Sequence, residues 1–186
     1  MARKALYLAV ALASAACGGQ FPRDIYVDDR FTPEELADID SAINEVNKLA
    51  KLIGEDSLVN LAGTFDDQDG VFSQRNVDND RNELYRIGSA GECLGFVSRY
   101  QSEFGTLDNL NGFYAGTDIG ILTFNVYQPG KAPFRTVVMH ELGHFVGMGD
   151  LYGNGYAIMR PYGYTATSFT QADKEEFCQV HGCRVR

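Results

Sequence analysis

Apolar residues in this chain recur at two intervals, and the switches between them outline the elements. Leu36, Ile39, Ile43, Val46, Leu49 and Leu52 follow helical spacing up to Gly54, which predicts a long amphipathic helix lying on a sheet. Its start is marked by Thr32-Pro33-Glu34-Glu35. Thr32 supplies a capping hydroxyl, Pro33 suits the first helical position, and the carboxylates suit the positive helix N-terminus. Strands are expected over 58–65, 83–87, 93–98 and 119–126, the last broken by Gln128-Pro129-Gly130. The apolar run Thr136-Val137-Val138-Met139 backs a second helix. Thr170 opens a third, with Asp173 at capping-box spacing where Glu or Gln is usual. An early helix, several strands and then helices predict an α+β domain, and no repeat interrupts it.

The N-terminus departs from that pattern. Arg3 and Lys4 precede an unbroken apolar and small-residue run over 5–16, too short to span a membrane and of signal-peptide length. The run ends at Ala15-Ala16-Cys17-Gly18-Gly19, which resembles a bacterial lipoprotein cleavage box with Cys17 as the lipid-modified residue. Ser14 replaces the usual Leu there, and cleavage within the small residues 13–15 is the alternative. The expected division is a signal peptide over 1–16, a polar tether over 17–31 and a folded domain over 32–186. Such a protein is exported, either anchored by lipid at a cell surface or facing the periplasm, or else secreted.

Charge and cysteines narrow the picture further. A net charge of −9 excludes nucleic acid as a partner, because phosphate binding needs Lys/Arg patches. The acidic stretches 66–70 and 76–80 suit either Ca²⁺ or ordinary Asp/Asn/Gly turns. With Cys17 lipidated, Cys93, Cys178 and Cys183 remain, and an oxidising compartment favours one pair among three pairings. Cys178–Cys183 is the nearest in sequence. His181, close by, reads as a surface residue.

The chemistry concentrates in His140-Glu141-Leu142-Gly143-His144. Residues four apart share a helix face, so His140 and His144 can offer nitrogens to one ion, with Glu141 beside them to take a proton from water. Gly147 can end the helix in a left-handed turn, and Asp150 follows as a third ligand. The string H-E-L-G-H-F-V-G-M-G-D resembles the elongated motif of metzincin zinc peptidases, with Asp in the third place as in the snapalysin-like members. Ala157-Ile158-Met159-Arg160-Pro161-Tyr162 resembles their methionine turn, and together with Thr170–Asp173 it is similar to the matrixin arrangement. The resemblance covers roughly residues 119–178.

That resemblance implies a metzincin-like zincin domain: a twisted, mostly parallel sheet with an N-terminal helix, the active-site helix and a C-terminal helix. It implies a monomeric zinc endopeptidase acting on protein or peptide substrates. His140, His144 and Asp150 would hold Zn²⁺, and Glu141 would activate the metal-bound water. Met159 would pack beneath the histidines, and Tyr162 or Tyr164 would be auxiliary. The sheet edge near 94–97 would pair with substrate, and the loop 160–169 would shape an apolar pocket. No cysteine-switch prodomain is apparent between residue 18 and the first helix. The competing readings are a noncatalytic zinc-containing surface lipoprotein and a metal-free packing coincidence.

Overall fold

The computed structural model describes residues 21–66, 81–89, 112–115, 118–128, 131–153, 155–161 and 166–185. Cys17, Cys93, Tyr162, Tyr164, the strand expected at 93–98 with its substrate edge, and nearly all of both acidic stretches lie outside them. Five strands form one sheet: β1 (Arg23–Asp28), β2 (Val59–Phe65), β3 (Glu83–Ile87), β4 (Gly112–Ala115) and β5 (Asp118–Leu122). Their order is β2-β1-β3-β5-β4, with β4 antiparallel at one edge and the other four parallel. The domain is α+β, as expected.

β1 corrects the expectation of a tether over 17–31. Only Ile25 and Val27 are apolar on its inner face, both fully buried, between charged or polar neighbours that gave the stretch a linker-like composition. What makes it a strand is its partners, because it pairs with β2 on one side and β3 on the other. Both partners lie later in the chain, so the local sequence carries little of the signal.

Helix α1 (Pro33–Asn47) continues as a 3-10 turn over Lys48–Leu52. Its capping box is closed in both directions: Glu35 N donates to Thr32 Oγ1 at 3.2 Å, and Thr32 N donates to Glu35 Oε2 at 2.8 Å. Gly54, at φ +81°, turns the chain back. Ile39, Ala42, Ile43 and Val46 are buried, and the helix packs against α3 (Phe134–Phe145). At its end, Asn47 Oδ1 accepts from Leu58 N and Val59 N at 2.8 and 2.9 Å, tying the helix to the start of β2.

The strand expected over 119–126 is shorter. β5 ends at Leu122, and Thr123–Val126 forms the helical turn α2. The ladder stops because the β3 partner stops: Leu122 pairs with Ile87, the last residue of β3. Thr123 Oγ1 then donates to Ile87 O at 3.1 Å, closing that corner. Apolar residues of β1, β3 and β5 meet those of α1 and α3 to form the core. The last helix, α4 (Gln171–His181), ends at Gly182 in the left-handed conformation. Cys178 and Cys183 form a disulfide there, so the nearest-neighbour pairing is the one adopted. Among the described residues no helix is long and apolar enough to cross a membrane.

Candidate metal centre

Helix α3 is buried along most of its length, and its last turns carry His140, Glu141 and His144. It ends where Gly147 adopts φ +97° and Met148 N donates back to Gly143 O at 2.9 Å. That glycine turn reverses the chain and brings Asp150 back over the histidines. The three expected ligands therefore converge. Nε2 of His140 and Nε2 of His144 stand 3.1 Å apart, and Asp150 Oδ1 lies 3.6 Å from each.

This triangle fits a small tetrahedral cation. Ligands held about 2.0–2.1 Å from Zn²⁺ stand about 3.3–3.4 Å from one another, which the three edges bracket. Ring orientation agrees. His140 Nδ1 faces Ile158 O at 2.9 Å and His144 Nδ1 faces Met148 O at 3.0 Å. A carbonyl only accepts, so each Nδ1 carries the proton and each Nε2 presents its lone pair to the centre. Asp150 Oδ1 is buried and accepts no hydrogen bond from the described residues, a costly state for a carboxylate oxygen unless a cation completes it. His140, His144 and Asp150 can thus hold a metal ion.

The electrostatics point the same way. Burial, and then the nearby His144, push His140 down to about 4 against the opposing pull of Ile158 O, Asp150 and Asp173. The imidazole is neutral at neutral pH, as a ligand must be. Burial, and then Asp150, hold the Glu141 carboxyl well above the usual carboxylate range. Glu141 faces β4, where a Cβ on Gly112 would stand 2.8 Å from its Oε1. Glycine in this edge strand therefore leaves the space that the Glu141 side chain occupies.

Met159 is fully buried against α3. A Cβ on Gly143 would overlap its Sδ and stand 3.0 Å from its Cε, so Gly143, between the two histidines, is the seat of Met159. Several supports were not legible in the sequence. The fully buried Asp173 accepts from Ile158 N at 3.0 Å, Met159 N at 2.9 Å, Thr170 N at 2.7 Å and Thr170 Oγ1 at 2.8 Å. Its spacing from Thr170 signalled the cap, but nothing in the sequence signalled the grip on residues 158–159. His181 corrects its reading as a surface residue. It is half-buried, 4.3 Å from the Phe177 ring, and its Nε2 donates to Val146 O at 2.8 Å. Arg23 Nη1 donates to Phe145 O at 2.7 Å. Together these two side chains satisfy carbonyls that the end of α3 leaves open. Of the loop 160–169, Ala166 and Phe169 are buried in the core, and Thr167 O accepts from Arg135 Nη1 at 2.7 Å.

Comparison of the chain with protein-family models and with curated proteins returns no match.

Proposed function

We propose that this protein is a zinc-dependent endopeptidase of the metzincin type, exported and held at a membrane surface through Cys17. The observation that carries the reading is the triangle of two imidazole nitrogens and one buried carboxylate oxygen, with Glu141 beside it facing an edge strand. The resemblance of 140–150 and 157–162 to metzincin motifs supports it, as does a mostly parallel sheet with one antiparallel edge strand. When bound, Zn²⁺ supplies Lewis acidity for water and for a carbonyl oxygen.

The chain's own groups provide the rest. His140, His144 and Asp150 hold the ion. Glu141 takes a proton from water as the peptide carbonyl is attacked and returns it to the departing nitrogen, a role served by a carboxyl whose affinity for protons is raised by burial. β4, the strand that Glu141 faces, would offer its backbone to an extended substrate as a further strand.

The test is zinc content together with chelator-sensitive cleavage of a mixed peptide library. Wild type should contain zinc and cleave. Glu141→Gln should keep zinc and lose cleavage, and Asp150→Ala should lose zinc retention. Zinc without cleavage in wild type would leave the noncatalytic surface lipoprotein as the reading. A native protein without zinc would remove both, and an Asp150→Ala variant with full zinc and activity would overturn the third ligand.

A further inference from the structure

The three ligands are not held in the same way. His140 and His144 ride on a buried helix, whereas Asp150 sits in a loop, outside any helix or strand. That loop must be fixed from elsewhere if Oδ1 is to meet the two imidazoles. Its flanks are tied within the motif region: Met148 N donates to Gly143 O at 2.9 Å, and Leu151 N donates to Met159 O at 2.7 Å. The Met148–Gly149 peptide, one residue before Asp150, is tied to a different element. Gly149 N donates to Oε1 of Glu176, on α4, at 3.2 Å.

Glycine at residue 149 lets the carboxylate approach closely. A Cβ there would stand 3.2 Å from Glu176 Oε1, closer than an ordinary van der Waals contact. Glu176 comes one helical turn after Asp173, which grips the backbone beneath His140, and before His181, which caps the last turn of α3. Helix α4 thus touches the methionine turn, the Asp150 loop and the end of the ligand helix through three side chains.

We propose that Glu176 is a positioning residue for the third metal ligand. Its carboxylate fixes the Met148–Gly149 peptide and thereby sets Asp150 Oδ1 against the two imidazole nitrogens. The inference rests on the metal-centre reading and adds to it a residue outside the motif. Groups that orient ligands are worth about 10–100-fold in metal affinity, and that is the size of effect expected here.

The experiment measures zinc affinity at neutral pH by competition with a chromophoric chelator, with thermal unfolding of the metal-free protein as a check on folding. Glu176→Ala should weaken binding about 10–100-fold. Glu176→Gln, which keeps an acceptor oxygen, should recover most of the loss. Glu176→Leu, which keeps the bulk of the side chain but offers no acceptor to Gly149 N, should weaken binding likewise and serves as a second variant if Glu176→Ala does not fold. In the background of Asp150→Ala, Glu176→Ala should lose most of its effect; what remains reaches the site through His144, whose Nδ1 donates to Met148 O of the same peptide. Wild-type affinity in Glu176→Ala, a Gln variant as weak as the Ala variant, or full additivity with Asp150→Ala would each overturn the assignment. A wild-type protein that binds no zinc overturns the metal-centre reading itself, and this inference with it.

Discussion

Replacing Asp173 by asparagine keeps the size of the side chain and removes one acceptor from a buried carboxylate that takes four hydrogen bonds. Oδ2 accepts from Ile158 N, Thr170 N and Thr170 Oγ1, while Oδ1 accepts from Met159 N. The favoured asparagine orientation keeps its oxygen at the three-donor position and turns its NH2 group toward Met159 N. That leaves one buried backbone donor facing another donor, which costs about 1–3 kcal/mol. For a domain of this size each kcal/mol lowers Tm by about 2–4 °C, so the expected loss is roughly 2–12 °C. The strain falls on the segment whose Ile158 carbonyl orients His140, so zinc affinity should fall as well. Calorimetry of the metal-free and zinc-loaded forms reads both effects, because the upward shift of Tm with zinc shrinks when affinity falls. Asp173→Ala, which strands three backbone donors, should cost more than Asp173→Asn. A Tm within about 1 °C of wild type for Asp173→Asn, far below the shift this donor count requires, would refute the argument.

Gly143→Ala should destabilise the protein by about 1–3 kcal/mol through overpacking, since its methyl group would occupy the place of Met159 Sδ. Urea unfolding reads the cost, and shortening Met159 to Ala in the same chain should recover part of it. A Gly143→Ala protein as stable as wild type would remove Met159 from that seat. Glu35 is buried in the first turn of α1. Burial alone would raise its carboxyl, but hydrogen bonds from Arg86, Thr32 N and Tyr127 hold it below its ordinary value of 4.5. A depressed folded-state value contributes stability that is present above pH 4.5 and is lost as pH falls through the folded-state value. The gap in urea midpoint between wild type and Glu35→Gln should therefore narrow below pH 4.5. A gap that stays constant into strong acid would contradict the assignment.

The sequence by itself determined what depends on neighbours a few residues away. Helical periodicity and the Thr32–Glu35 box marked α1, and the four-residue spacing of His140 and His144 put both rings on one helix face, as the 3.1 Å approach of their nitrogens shows. Gly147 was legible because a helix that turns back needs a residue tolerant of positive φ, and one found there has φ +97°. Tertiary structure alone decided what depends on elements brought together from distant parts of the chain. β1 reads as a linker until β2 and β3 supply hydrogen bonds on both sides. β5 ends at Leu122 because its partner ends, which no property of residues 123–126 announces. Asp173, Glu176, His181 and Arg23 are ordinary polar residues in the sequence. Each becomes part of the site's frame only because packing places it against backbone groups at the end of α3, in the Asp150 loop or at residues 158–159. A hydrogen bond between distant elements leaves no period in a sequence. The three residues that could hold a metal ion could be read from local spacing, and the groups that hold them in place could not.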